Sequence, residues 1–150
     1  MPLIVLETFM RAPAQRCFDL MRSVEAHTQS TSGTQERAVA GVTSGLLRAG
    51  DEVTWEAVHL GVRQRLSVRV TRCEPPDLFE DQMLRGAFHS LHHRHLFRSE
   101  AGGTVMRDEF QYESPLGPLG LLADWFFLER YLRAFLRHRA AHLKRKAEAA

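Results

Sequence analysis

The breaker cluster Ser114, Pro115, Gly117, Pro118 and Gly120 is followed by no further Pro or Gly, and the uninterrupted stretch that results constrains everything before it. Leu122, Trp125, Phe126, Glu129, Leu132, Phe135, Leu136, Arg139 and Leu143 recur at three- and four-residue steps, the period of one α-helical face. The spacing predicts a helix over 121–146, roughly 39 Å long at ~1.5 Å per residue. That is the width of a small domain, so the residues upstream must supply the surface it packs on. Its first turns are apolar nearly all round, as in a segment that is buried on several sides or lines an apolar space. Its far end carries Arg137, His138, Arg139, Lys144, Arg145 and Lys146, which reads as a solvated end whose cations suit the negative pole of the helix dipole.

Upstream, residues 3–10 alternate and include Val5, Thr8 and Phe9, so they read as a first strand. Pro13 suits the first turn of a short helix, with Ala14, Cys17, Phe18 and Met21 on one face. Ser23 is placed to cap a second helical piece running through His27, which dissolves into the polar stretch 28–34. From Gln35 the period changes to two. Residues 37–42 and 44–48 are strand candidates broken by Gly41 and Gly45, and 52–60 is a fuller strand ended or bulged by Gly61. Arg63, Arg65 and Arg69 then alternate with Leu66, Val68 and Val70, giving one wet basic face and one buried aliphatic face. Residues 78–85, 88–97 and 104–112 complete the series, with turns at Pro75-Pro76-Asp77, Gly86 and 101–103. Strands in succession followed by a helix imply an α+β domain: an antiparallel sheet of six or seven strands wrapped around the C-terminal helix. Such a layout leaves room for a cavity between them.

The 150 residues suit one domain spanning 1–150, and 44% hydrophobic with 25% charged composition is ordinary for a globular protein. A net charge of +2 gives no large positive field, so nucleic-acid binding is not expected. The apolar runs stay below the ~20 residues of an integral membrane span, and the N-terminal residues lack the layout of a signal peptide, so a cytoplasmic setting is expected. Cys17 and Cys73 form no CxxC pair and receive no chemistry. The glycines fit neither phosphate-loop spacing, and no G-x-S-x-G elbow is present.

A run of particular residues adds to this. Asp77-Leu78-Phe79-Glu80-Asp81-Gln82, Gly86 with Phe88, His93-Arg94-His95-Leu96-Phe97, Gly103-Thr104, Asp108 with Tyr112, and Ser114-Pro115-Leu116-Gly117, in this order of elements, resemble the START-like or Bet v 1-like (SRPBCC, polyketide cyclase/dehydrase-like) superfamily, in its bacterial ligand-binding branch. The resemblance implies the helix-grip fold and a hydrophobic small-molecule ligand, such as a lipid, quinone or polyketide, held between sheet and long helix. Relatives include lipid carriers and aromatase/cyclases. No cofactor is implied, and fold alone does not choose among these activities.

Register narrows the site. If the 101–103 turn pairs Phe97 with Met106, the same ladder pairs His95 with Asp108, His93 with Phe110 and Leu91 with Tyr112. A tight corner at Gly86 sets Asp81 against His93 and Phe79 against His95. One face then holds Phe79, Asp81, Met83, Leu91, His93, His95, Phe97, Met106, Asp108, Phe110 and Tyr112. Trp55 and His59, on one side of their strand, and Leu122, Trp125 and Phe126 on the helix complete the expected ligand-binding set, with Arg85 as a candidate at the mouth. His93, His95 and Asp108 admit three readings: cross-strand pairs that satisfy one another and orient a ligand, an acid/base couple, or metal ligands joined by Asp81 or Asp108. No metal is assigned, since a well-spaced additional ligand is lacking. The leading expectation is non-catalytic binding or transport. The alternatives are an aromatase/cyclase or dehydratase using the His/Asp pair, and a protein-interaction module docking on Arg63, Arg65 and Arg69.

Overall fold

The computed structural model describes residues 2–114 and 127–149. Leu122, Trp125 and Phe126 lie outside the described residues. Seven strands, β1 (Leu3–Met10), β2 (Arg37–Gly41), β3 (Glu52–His59), β4 (Val62–Glu74), β5 (Leu78–Arg85), β6 (Ser90–Glu100) and β7 (Gly103–Glu113), form one antiparallel sheet in the order β1-β7-β6-β5-β4-β3-β2. The first two strands sit at opposite edges. Two short helices, α1 (Ala14–Met21) and α2 (Val24–Ser30), carry the chain between those edges, and α3 (Glu129–Glu148) packs against them and the sheet. This is the helix-grip arrangement.

The hairpins hold the register that alternation requires. β6 and β7 pair Phe97 with Met106, His95 with Asp108, His93 with Phe110 and Leu91 with Tyr112, and β5 pairs Asp81 with His93 and Phe79 with His95. At the β3–β4 corner His59 pairs with Val62, and the two residues between, Leu60 and Gly61, both have positive φ (53° and 78°). Two left-handed residues in a two-residue loop match the twist of the flanking strands. Gly41 has φ +72°, and a Cβ there would lie 2.1 Å from the Glu52 carbonyl oxygen, so the β2–β3 contact admits only glycine.

Two apolar clusters form the core. Phe18, Met21, Val53, Trp55, Val68, Val70, Phe79 and Phe97 pack with Ala140, Leu143 and Ala147 of α3. Ile4, Leu91, Phe110 and Tyr112 pack with Leu132 and Leu136. The buried α3 residues Leu132, Leu136, Ala140, Leu143 and Ala147 keep the three- and four-residue step of one helical face. The exposed carbonyls at its C-terminus are met by a cation from α1. Arg16 Nε donates to Ala147 O at 2.8 Å, and Arg16 Nη2 donates to Lys146 O and Ala149 O at 3.1 Å each.

Three sequence expectations change. Residues 44–48 make only an isolated Ser23–Leu46 bridge, because Gly45 (φ +83°) turns the chain and its N–H bonds the Glu25 carboxylate. α2 runs past His27 to Ser30, with Thr28 Oγ1 donating to Val24 O and Ser30 Oγ to His27 O, so these hydroxyls bond the helix's own carbonyls instead of breaking it. A 3₁₀ turn, Ser32–Thr34, follows. The outward basic face of β4 is also organised from within the sheet: Arg63 and Arg65, with Arg37 of β2, remain largely exposed and converge at 2.9–3.0 Å on Glu56, which is only 4% exposed beneath them. These bonds hold the Glu56 carboxyl down at about 2. Finally, Arg139 belongs to the inner face of α3 rather than to its solvated end. Among the described residues, no helix is long and apolar enough to cross a membrane.

Candidate ligand-binding cavity

Between the two clusters lies a cavity of about 130 Å³. Its walls come from α1 and α2 (Met21, His27), from the sheet (Trp55, His59, Val68, Val70, Phe79, Leu91, Phe110) and from α3 (Leu132, Phe135, Leu136). Strand alternation explains the sheet's share, since every second residue of β3 to β7 points to this side. The lining is mostly apolar, with polar groups gathered in a few places, which is the usual make-up of a small-molecule site.

The polar groups fall into three sets. Nearest α2, His27 Nε2 pairs with Glu36 Oε1, and the His27 ring stacks on Trp55 with centroids 4.0 Å apart. Burial alone would raise the Glu36 carboxyl, but His27 holds it below the usual carboxylate range. Nearer the β3–β4 corner, His59 Nδ1 and the Tyr131 hydroxyl meet at 2.6 Å, joining sheet to α3. Burial pushes His59 down. The third set is on β6 and β7. Asp108 Oδ1 lies 3.2 Å from His93 Nε2 and 2.5 Å from His95 Nδ1, and all three residues are at most 5% exposed. Burial, then the neighbouring His95, lowers His93 to about 4. Burial opposes ionisation of Asp108, yet His95 and His93 keep it ionised well below the usual range. Asp108 can therefore only accept, and His93 Nε2–H donates to it.

Two further charges face the cavity. Asp81, opposite His93, is enclosed by protein but keeps accessible surface on the cavity side, and burial raises its carboxyl. Arg139 enters from α3. Its Nε is buried without a hydrogen-bond partner among the described residues.

Of the residues expected at the site, Trp55, His59, Phe79, Asp81, Leu91, His93, His95 and Phe110 line this cavity. Met83, Phe97, Met106, Asp108 and Tyr112 share the inward face but stand behind it. Phe97 packs edge-on against Phe18 at 5.5 Å, and Tyr112, 0% exposed, packs against Phe88 and Phe110. Met106 and Asp108 border a smaller void with His95, Leu136 and Arg139. Arg85 is exposed. Sequence reasoning did not single out His27, Glu36, Phe135 or Arg139 as site residues. For Arg139 the signal existed, because its helical register places it with Leu132, Phe135 and Leu136. Nothing local marks Glu36, which reaches the cavity through the turn at Gln35 (φ 55°).

The family model described as polyketide cyclase / dehydrase and lipid transport matches residues 10–138. The chain belongs to this family. It is a member of the SRPBCC, or Bet v 1-like, superfamily. Among solved structures, protein TTHA0849 of Thermus thermophilus is 17% identical over 97% of both chains, with a TM-score of 0.79. The di-domain ARO/CYC StfQ from the steffimycin biosynthetic pathway is 13% identical, with a TM-score of 0.77 over 97% of this chain and 50% of StfQ. Major latex-like protein 151 of Panax ginseng is 12% identical over 99% and 98% of the two chains, with a TM-score of 0.67. At such identities the likeness establishes fold alone. No curated protein matches the sequence.

Proposed function

We propose that this SRPBCC-family protein binds and carries a hydrophobic small molecule bearing a polar oxygen function, of the lipid, quinone or polyketide kind, in the cavity between sheet and α3. The observation that carries the reading is the cavity itself: an apolar enclosure with a guanidinium, Arg139, whose buried Nε has no partner among the described residues. An unsatisfied buried donor is costly, and a ligand oxygen arriving at Arg139 removes that cost. The aromatic walls supply the area that holds the rest of the molecule. The free cysteines Cys17 and Cys73 fit a reducing compartment, consistent with a cytoplasmic setting.

One arrangement favours a second reading, that of an aromatase/cyclase or dehydratase. Asp81, whose carboxyl burial raises, faces the cavity opposite His93, which sets a carboxyl group and two imidazoles side by side at the cavity wall. Native mass spectrometry of protein purified without detergent, with identification of whatever is extracted, tests the proposal. Retention of one hydrophobic class, released when Arg139 is changed to Met, supports binding. Failure to retain or take up any lipid, quinone or polyketide aromatic contradicts it. Turnover of a polyketide-type ligand, lost in His95→Ala with binding intact, moves the assignment to the enzyme.

A further inference from the structure

The His93–Asp108–His95 set has a feature that mutual hydrogen bonding does not explain. His95 Nδ1 approaches Asp108 Oδ1 to 2.5 Å, yet the contact lacks the alignment of a hydrogen bond, and this buried nitrogen has no other partner among the described residues. His95 is 2% exposed, so no bulk water satisfies it. The three potential donor atoms, one from each residue, lie within 4.8 Å of one another.

We propose that His93, His95 and Asp108 form a site for one divalent transition-metal ion of the zinc or iron(II) class, with the remaining coordination positions open towards the ligand cavity. Two imidazoles and one carboxylate are a donor set that zinc and non-haem iron both accept, and a site with three protein ligands keeps positions for water or a bound molecule. Metal–donor bonds of ~2.0–2.2 Å with near-tetrahedral angles put donors roughly 3.3 Å apart. Relaxing the 2.5 Å contact to that spacing takes a side-chain adjustment of less than about 1 Å. His93 and His95 themselves line the cavity, so the open positions face it.

The charge balance agrees. Three carboxylates, Glu36, Asp81 and Asp108, border the cavity and its adjoining void, against one guanidinium, Arg139, among the described residues. Glu36 and Asp108 are the two held ionised, so with the imidazoles neutral one negative charge is in excess in a place poorly served by solvent, and a divalent cation offsets it. The opposite side of the same strand makes a useful contrast: His92 is partly exposed and pairs with Glu80 at 3.2 Å, an ordinary surface contact.

The test is cobalt(II) uptake, read by visible d–d absorption, and zinc uptake by calorimetry, on chelator-treated full-length protein. His138 and His142 are one helical turn apart on α3 and form a competing surface pair, so the parent protein carries His138→Gln and His142→Gln. One equivalent per chain is expected, weakened at least tenfold by His95→Gln and unchanged by His92→Gln. Paramagnetic broadening from cobalt in the parent, centred on residues 93, 95 and 108, gives the location without any substitution at the site. No stoichiometric uptake, uptake indifferent to His95→Gln in a folded variant, or broadening centred elsewhere overturns the site. A hydrophobic passenger retained by metal-free protein leaves the binding function standing whichever way this result falls.

Discussion

Phe18→Ala is expected to cost about 3–5 kcal/mol, the range for removing a fully buried aromatic ring. Phe18 is 0% exposed and is the link between α1 and the sheet. Its ring meets Phe79 edge-on at 6.3 Å and Phe97 at 5.5 Å, while the Arg22 guanidinium carbon stands 5.2 Å from its centroid. Truncation therefore opens a void on three sides and removes two aromatic contacts and a cation–π contact. Since domains are stable by only ~5–15 kcal/mol, the variant should lose a large part of its margin. Urea unfolding followed by circular dichroism measures the change. A loss below about 1 kcal/mol would mean that α1 is not seated on the sheet as described.

Stability of the metal-free protein is expected to fall as pH drops from about 6.5 to about 4. Burial lowers His27, His59, His93 and His95 in the folded state, His93 to about 4. Between that value and the ordinary ~6.5, the unfolded chain binds protons that the folded chain refuses, so the equilibrium shifts to the unfolded side as pH falls. For His93 alone the loss is on the order of 3 kcal/mol across the window. Asp108 acts lower down. Its folded carboxyl is held below the ordinary ~3.9, so its contribution is present above that pH and is lost as pH falls further. Urea midpoints measured from pH 8 to pH 4 should decline mainly below pH 6.5, and His93→Gln should flatten the curve. Midpoints constant over that window would contradict the burial of these rings.

The fold was legible because its elements carry strong local signals. Alternation in β5 to β7 and short corners at Gly86 and 101–103 fix which side chains share a face, and they correctly set His95 against Asp108 and Asp81 against His93. The α3 period placed Leu132, Leu136 and Leu143 inward. The same period placed Arg139 inward too, but its neighbours in sequence, Arg137 and His138, made the whole end look solvated. Residues 44–48 misled for the opposite reason: a short apolar pair, Leu46-Leu47, next to a glycine resembles a broken strand, but it forms a tertiary crossing tied to α2. The His27–Glu36 pair and its stacking on Trp55 join α2 to the sheet across the cavity, and no spacing in the sequence announces a contact made only by tertiary packing. Likewise, alternation marked Arg63 and Arg65 as outward-facing, while their engagement by Glu56 depends on the pairing of β2, β3 and β4.

The central claim, an apolar cavity that accepts a hydrophobic guest, is tested most directly by titrating the protein with Nile red, a neutral dye that brightens and shifts to the blue in apolar surroundings. Saturable binding at one site per chain is expected, weakened at least tenfold by Phe135→Glu, which sets a carboxylate into the cavity wall, and unaffected by Leu60→Glu at the exposed β3–β4 corner. Binding of equal strength in a folded Phe135→Glu protein, or no saturable binding by the parent, would contradict it.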